Sequence, residues 1–192
     1  MLVGTADSFY ASGIPDTTTV KWQIFRPAKP LKDPSTGKVI AQEAYFLGNA
    51  NLVRPGAPAT MMVTMAKEEI RRGDYLMPAP PQQIINYVPH RSEQDISARV
   101  VSIYGGINEG GPNSVVALNR GTQDGLEIGH VVALYRNRVS VDIDNNGRRT
   151  ETPVPEERYG LAFVFRVFNN ISYALVMDAS RQVIVGDSAR NP

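Results

Sequence analysis

The sequence contains no cysteine, almost no helical periodicity and no excess of charge of either sign. Without cysteine it can form no disulfide, no thiolate metal site and no cysteine nucleophile. With 20 Lys and Arg against 19 Asp and Glu, it lacks the basic excess typical of nucleic-acid-binding domains. Its most apolar runs, residues 131–135 and 161–165, are far too short to span a bilayer. These absences argue against a nucleic-acid partner and against a membrane span.

Short segments rich in Val, Ile, Tyr and Phe recur along the chain instead. The 16 Gly and 14 Pro, together with Asn and Asp, separate these segments as turns separate strands. The best helical pattern, residues 65–72, covers only about two turns. The sequence therefore predicts an all-β fold. We predict strands at 20–25, 43–53, 59–65, 96–104, 114–118, 130–135, 161–168 and 171–177.

The two halves of the sequence share a set of ordered matches. All the matches keep their order at nearly one spacing, which favours duplication over coincidence. The matched positions are 4–7 with 121–124, 13 with 129, 24–26 with 134–136, 43–45 with 157–159, 48–50 with 160–162, and 70–74 with 183–187. We therefore predict two tandem, sequence-related small β-barrel units, SH3-like or similar. They comprise residues 1–78 and 96–192, with a proline-rich linker at 79–95.

The repeat also indicates a missing element in the first unit. In the second unit, residues 96–118 supply two strands before the matched segment at 121–124. Only Met1, Leu2 and Val3 precede the matched segment of the first unit. The first unit is therefore expected to be truncated at its N-terminus, and to lack its opening strand or borrow one.

Two patterns resemble metal sites but favour plainer interpretations. The run Asp142-Ile143-Asp144-Asn145-Asn146-Gly147 begins like a calcium loop, but the acid required twelve places from its start is replaced by Pro153. A hairpin turn is the favoured interpretation. The two histidines, His90 and His130, are far apart in sequence and lack metal-ligand spacing. We predict no metal site and no cofactor.

Other polar candidates also favour structural roles. The glycine-rich stretch 104–112 lacks phosphate-loop spacing and is predicted to be a loop between strands. Arg26 and Arg136 match across the repeat and are expected to form internal ion pairs with glutamates such as Glu43 and Glu157. Aromatic residues that follow strand alternation are predicted to lie in the core. They include Trp22, Tyr45 and Tyr159.

No catalytic constellation is apparent in the sequence, so no catalytic residue is assigned and the chain is predicted not to be an enzyme. No serine occupies a G-x-S-x-G elbow, and no motif pairs two acids. A hydrolase stays open as a third choice only because Asp142, Glu156 and Asp178 have no assigned role.

Several segments together resemble the C-terminal region of bacterial LysM-domain peptidoglycan-binding proteins. The resemblance covers nearly the whole chain, although the LysM module itself is not visible. The segments that carry it are 25–37, 43–50, 87–90, 101–106, 113–121, 124–131 and 157–166.

This resemblance implies a periplasmic, cell-envelope location and a non-catalytic accessory or binding role. In such proteins a signal peptide and a LysM module precede this region, so peptidoglycan would be bound through the LysM part. The alternative is a protein–protein scaffold that docks another envelope component without touching glycan.

The expected missing strand can be tested on the upstream side of the chain. An expressed chain extended upstream of Met1 should melt at a higher temperature, because a paired sheet edge replaces an unpaired one. Thermal denaturation followed by circular dichroism would measure the change. An unchanged melting temperature would count against the missing strand.

Overall fold

The computed structural model describes residues 2–14, 18–80, 87–105, 108–136, 139–143 and 149–192. These residues form seventeen strands and a single 3-10 turn, Thr122–Asp124, which confirms the all-β prediction. The strands are β1 Leu2–Val3, β2 Ser8–Ala11, β3 Lys21–Lys32, β4 Val39–Arg54, β5 Ala59–Ala66, β6 Ile70–Arg71, β7 Tyr75–Pro78, β8 Ser97–Ile103, β9 Glu109–Gly110, β10 Val115–Leu118, β11 Val131–Arg136, β12 Val139–Ile143, β13 Arg149–Pro153, β14 Glu157–Val167, β15 Ser172–Ala179, β16 Val183–Ile184 and β17 Ser188–Arg190.

All eight predicted strands are present, whereas the helix-like pattern at 65–72 is not helical. Strand β5 continues to Ala66, and the main-chain N–H groups of Lys67 and Glu68 both donate to the carbonyl of Leu47, at 2.8 and 3.1 Å. Pairing with a distant strand therefore overrides the local helical preference of this segment.

The chain divides into two compact units. Unit 1 comprises Met1–Lys29 and Gln42–Ile84, and unit 2 comprises Pro30–Ala41 and Ile85–Pro192. The tip of the β3–β4 hairpin thus belongs to unit 2, whereas the sequence-based boundaries had assigned it to the first unit.

Unit 2 contains a closed six-stranded barrel in the order β10-β15-β14-β11-β17-β8, which confirms a barrel in this half of the chain. All six neighbouring pairs of the barrel are antiparallel. Because side chains alternate along a strand, every strand directs one set inward. The completely buried inward set includes Val100, Ile103, Leu118, Leu134 and Val164. Burying each such side chain contributes about 1.5–3 kcal/mol.

The hairpin tip covers part of the outside of this barrel. Leu31 packs with Val101, Ala117 and Ile171 in a second apolar cluster of unit 2. Beside it the Asn119 side-chain amide donates to the Asp33 carboxylate at 2.9 Å. That hydrogen bond, with support from two backbone N–H groups, lowers the pKa of Asp33 despite its burial. The tip is therefore anchored by both apolar and polar contacts.

Unit 1 contains a five-stranded sheet in the order β2-β5-β4-β3-β7, and β1 pairs separately with β6. The inward faces of these strands form one core. Trp22 is buried in that core, as predicted, while Tyr45 packs against it half-buried; Tyr159 is buried in the barrel core of unit 2. Among the described residues, no strand joins β2 to β7, so this sheet is not a closed barrel.

Glycine is required at position 160, where β14 pairs with β15. A Cβ added at Gly160 would lie 2.5 Å from the carbonyl oxygen of Asp178. We expect Gly160→Ala to lower the free energy of unfolding by about 1–3 kcal/mol, because backbone must shift to relieve the overlap. Urea denaturation would measure the loss. In the control Gly111→Ala, the added Cβ meets nothing within 4 Å, and a change below about 0.5 kcal/mol is expected. Equal losses in the two variants would contradict this explanation.

Candidate functional site

The open side of the unit 1 sheet forms a cleft between β2 and β7 with a volume of about 1020 Å³. Its floor is apolar and its rim carries aromatic and charged groups. The floor includes Phe9, Ile14, Trp22, Ile24 and Leu76. The rim includes Tyr10, Arg71, Arg72, Asp74 and Tyr75.

The strand order of unit 2 explains why this cleft exists. In unit 2 the order β10-β15-β14-β11-β17 is closed into a barrel by β8, which pairs with both end strands. In unit 1 the order β2-β5-β4-β3-β7 has the same sequence of connections, but no described strand pairs with both ends. The cleft therefore lies at the position that β8 fills in unit 2.

Hydrogen bonds at the start of β2 and β10 set the correspondence between the units. Ala6 donates to Val63 at 2.9 Å, and Asn113 donates to Val176 at 2.8 Å. Ala6 and Asn113 are the only described non-glycine residues with positive φ, at 71° and 69°. Residues 4–7 thus correspond to 111–114, and the predicted match with 121–124 is wrong in register.

The wrong match has a physical cause. In both turns the last side chain caps the first backbone N–H: Asp7 accepts from Gly4 at 2.8 Å, and Ser114 accepts from Gly111 at 3.0 Å. A carboxylate and a hydroxyl perform the same task, so the true counterpart shares a hydrogen bond without sharing a residue type. Asp124 accepts from Gly121 in the same way, which makes the sequence match misleading.

The missing neighbour leaves apolar side chains partly exposed in the cleft. Val116 and Leu118 on β10 are completely buried beneath β8. Their counterparts on β2, Phe9 and Ala11, are only half-buried. On the other edge Leu76 of β7 is likewise half-buried. These side chains present an apolar surface that a further strand would cover.

A half-buried ion pair orders the β7 side of the cleft. The Arg26 guanidinium donates to both carboxylate oxygens of Asp74, at 2.7 and 2.8 Å. The backbone N–H of Arg71 also donates to Asp74, at 2.8 Å. Burial alone would raise the pKa of Asp74, but these hydrogen bonds outweigh it and hold the pKa below its ordinary value. The turn between β6 and β7 is thereby fixed.

Unit 2 contains a similar arginine–aspartate pair. Arg136 contacts Asp187 at 2.9 Å, and the backbone N–H of Ile184 donates to that carboxylate at 3.0 Å. The Tyr159 hydroxyl also donates to Asp187, at 2.6 Å, and burial with this contact raises the pKa of Tyr159. Internal ion pairs are thus confirmed for both arginines.

The carboxylate observed at each arginine belongs to an aspartate, Asp74 for Arg26 and Asp187 for Arg136, where glutamates had been predicted. The carboxylates that pair with the two arginines lie close to Gly73 and Gly186, in the turns that bring them back to β3 and β11. Glu157 instead pairs with Arg181 at 2.9 Å, and Glu43 is buried on β4.

The remaining carboxylates singled out in the sequence do not line the cleft. Glu156 pairs with Arg190 at 2.6 Å, Asp178 is exposed on β15 and Asp142 lies on β12, all in unit 2. Among the described lining residues, Asp74 is the sole carboxylate, and Arg26 neutralises it. The cleft therefore offers apolar contact and free positive charge.

The two histidines, predicted to be isolated, meet in unit 2. Their rings lie 4.8 Å apart, and ligand atoms of His90, Glu127 and His130 all fall within 4.8 Å of one another. Main-chain hydrogen bonds clamp the pair: His90 donates to Gly129 and accepts from Val131, both at 3.0 Å. A Cβ at Gly129 would lie 2.7 Å from His90, so glycine makes room for the ring.

The hydrogen bonds of these rings favour a structural pairing. Nδ1 of His90 lies 2.8 Å from the Val88 carbonyl, and Nδ1 of His130 accepts from the Glu127 N–H at 3.2 Å. Nδ1 of each ring is thus engaged in a hydrogen bond or close polar contact. A metal bound to Nδ1 of His130 would displace the N–H of Glu127. His130 is held neutral, because burial first and then His90 lower its pKa.

Two other predicted features lie partly outside the described residues. Residues 144–147 of the calcium-like run are outside them, while the flanking strands β12 and β13 pair antiparallel. Residues 106–107 of the glycine-rich stretch are also outside, and β9 in its remainder pairs with β16. At the turn 168–171, Phe168 donates to Ile171 at 2.8 Å, which closes the β14–β15 hairpin.

Comparison with protein-family models found no match, and comparison with curated proteins found none either. The resemblance to LysM-associated proteins therefore stays a prediction. In the described part of the chain, no helix is long and apolar enough to cross a membrane.

The neutral state of His130 makes stability depend on pH. Unfolded histidine takes up its proton near pH 6.5, whereas folded His130 does so only at lower pH. Its stabilising contribution is therefore complete above about pH 6.5 and is lost as pH falls through the folded pKa. Urea denaturation at about pH 7 and about pH 5 should show this loss in the native protein. The loss should shrink in His130→Gln; an unchanged pH dependence would contradict the assignment.

Proposed function

We propose that this chain is a non-catalytic binding region of a cell-envelope protein of the LysM-associated type, and that it docks another protein. The observation that carries the docking role is the open cleft of unit 1. A preformed apolar surface bounded by two unpaired strand edges is the kind of site at which proteins add a strand from a partner.

The proposal includes an origin of the two units from one duplicated β unit. Shared strand order and the paired arginine–aspartate contacts support this origin. A shared irregularity supports it further: the register slips by one residue beyond Gly48 on β4 and near Gly160 on β14. In each case an added Cβ would collide with the neighbouring strand. The SH3-like character of the units remains a prediction.

The envelope location rests on the sequence resemblance, and peptidoglycan association would come through a LysM module outside these 192 residues. The lack of an unpaired carboxylate among the described lining residues argues against glycoside hydrolysis in the cleft, which typically uses two carboxylates on either side of the scissile bond.

Glycan binding is the second candidate, and one observation favours it. Tyr10 and Tyr75 both line the cleft and are 72% and 55% exposed. Exposed aromatic rings can stack on sugars. The floor of the cleft does not favour glycan binding. Phe9 and Ile24 have no polar side-chain atoms, and the indole N–H of Trp22 already donates to the Thr19 carbonyl at 2.9 Å.

Sedimentation with purified peptidoglycan distinguishes the two candidates. The chain alone should stay in the supernatant, because the apolar floor of its cleft offers no hydrogen-bonding partners to sugar hydroxyls. The Tyr10→Ala variant, folded by circular dichroism, serves as the matched control. Retention of the native chain together with loss of retention in the variant would replace protein docking with glycan binding.

A further inference from the structure

We propose that the cleft of unit 1 binds one extended peptide strand of a partner protein, antiparallel to both β2 and β7. This inference rests on the proposed docking function and specifies its ligand. The strand would occupy in unit 1 the position that β8 occupies in unit 2, and so complete a six-stranded barrel.

Unit 2 provides the register of such a strand. β8 runs antiparallel to β17, with Ala98 opposite Ala189, and antiparallel to β10, with Ile103 opposite Val116. In unit 1 the corresponding positions are Leu76 on β7 and Phe9 on β2. A ligand of about seven residues, the length of β8, therefore spans the cleft.

The main-chain groups that receive β8 have counterparts in the cleft. Val100 of β8 donates to the Asp187 carbonyl at 2.9 Å and accepts from Gly186 at 2.8 Å. The counterparts of these two residues, Asp74 and Gly73, line the cleft. Across the gap, the N–H of Asn119 donates to β8 at 3.0 Å.

The counterpart of Asn119 is Ser12, the residue after β2, which also lines the cleft and is exposed. The main chain can thus receive a strand from both sides. In the described part of unit 1, β2 pairs with β5 and β7 with β3, and each has no other neighbour.

The occupant's chemistry follows from the lining. Inward positions require small or medium apolar side chains, because Ala98, Val100 and Ile103 are completely or almost completely buried in the filled counterpart. Arg71 and Arg72 are exposed at the rim, while Asp74 is neutralised by Arg26. This excess positive charge favours neutral or acidic residues at the outward positions.

Strands of the described chain do not supply this occupant. β8 is enclosed between β10 and β17, so a second copy of the chain has no free strand of this pattern to donate. β12 and β13 pair with each other. Among the described residues no strand is left to fill the cleft, and the charge of Arg71 and Arg72 matches a neutral or acidic strand of another protein.

The sequence of β8 provides a direct probe, because it already fits the equivalent position. The probe is a synthetic nonapeptide with the sequence of residues 96–104, Ile-Ser-Ala-Arg-Val-Val-Ser-Ile-Tyr. Trp22 is the only tryptophan of the chain and lines the cleft, so its emission reports binding in unit 1 and would not respond to exchange of β8 in unit 2.

Titration of the native protein with this peptide should give a saturable change in Trp22 emission. Replacing the arginine of the peptide by glutamate should tighten binding several-fold, because of Arg71 and Arg72. Replacing its first inward valine, the residue equivalent to Val100, by aspartate should weaken binding at least tenfold.

Two protein variants test the main-chain contact. Ser12→Pro removes the N–H that faces the ligand and should weaken binding, whereas Ser12→Ala keeps it and should bind as the native protein does. Circular dichroism checks that both are folded. Should Ser12→Pro unfold, the aspartate-containing peptide still tests the inference on the native chain.

Absence of a saturable emission change with any peptide would overturn strand binding, as would equal binding of the aspartate peptide. A concentration-dependent dimer that fills the cleft without peptide, detected by light scattering, would also overturn it, as would loss of peptide binding in a chain extended upstream of Met1. Failure here, with the native chain still in the supernatant of the sedimentation experiment and a partner protein captured at another surface, would leave the proposed function standing. Retention on peptidoglycan would instead reject the proposed function itself.

Discussion

The arrangement of both units depends on the need of every strand edge for a hydrogen-bonding neighbour. A β-sheet satisfies the main-chain groups of its inner strands and leaves those of its two end strands unpaired. Unit 2 resolves this with one strand, β8, which pairs with β10 on one side and β17 on the other. A single strand therefore closes the barrel of unit 2. Without such a strand the sheet has two unpaired edge strands.

That segment also completes the apolar core. Ile96, Ala98, Val100 and Ile103 all belong to the buried cluster of unit 2. At about 1.5–3 kcal/mol for each fully buried large aliphatic side chain, these positions contribute several kcal/mol to unit 2. The described residues of unit 1 include no strand that makes this contribution. As a result Phe9 and Leu76, which such a strand would cover, are only half-buried. The absence of one strand thus leaves both main-chain groups unpaired at the sheet edges and apolar side chains uncovered in the core.

The central strands could be predicted from sequence because local pattern and tertiary role agree there. Alternation along β5, with Met61 and Val63 buried, is visible in the residues themselves. The edge strand β2 was not predicted, since it is only four residues long and its pairing partner is distant in sequence. The helix-like stretch after β5 misled for the same reason: its conformation depends on the carbonyl of Leu47, which no local window contains.

The sequence alone did not predict the cleft, although it predicted some of the residues and contacts beside it. The sequence comparison placed Arg26 opposite Arg136, and each of these arginines pairs with an aspartate. Its anchor near residue 4 was nevertheless wrong, because Ser114 replaces Asp7 as the hydrogen-bond acceptor and leaves no residue identity to match. In these two turns the same hydrogen bond is made by different residue types. Ion-pair partners were missed because spacing along the chain does not show which turn returns a carboxylate to β3 or β11.

The ion pair beside the cleft explains how an edge can remain ordered without its strand. In both units the carboxylate is held by an arginine and by the backbone N–H three residues earlier, and none of these groups belongs to β8 or its position. The β6–β7 turn is therefore fixed by contacts internal to unit 1. Because a strand added to a prearranged edge orders only itself, less conformational entropy is lost on binding. Asp74, whose side chain is 4% exposed, thus fixes the turn at the edge of the open cleft by contacts that need no added strand.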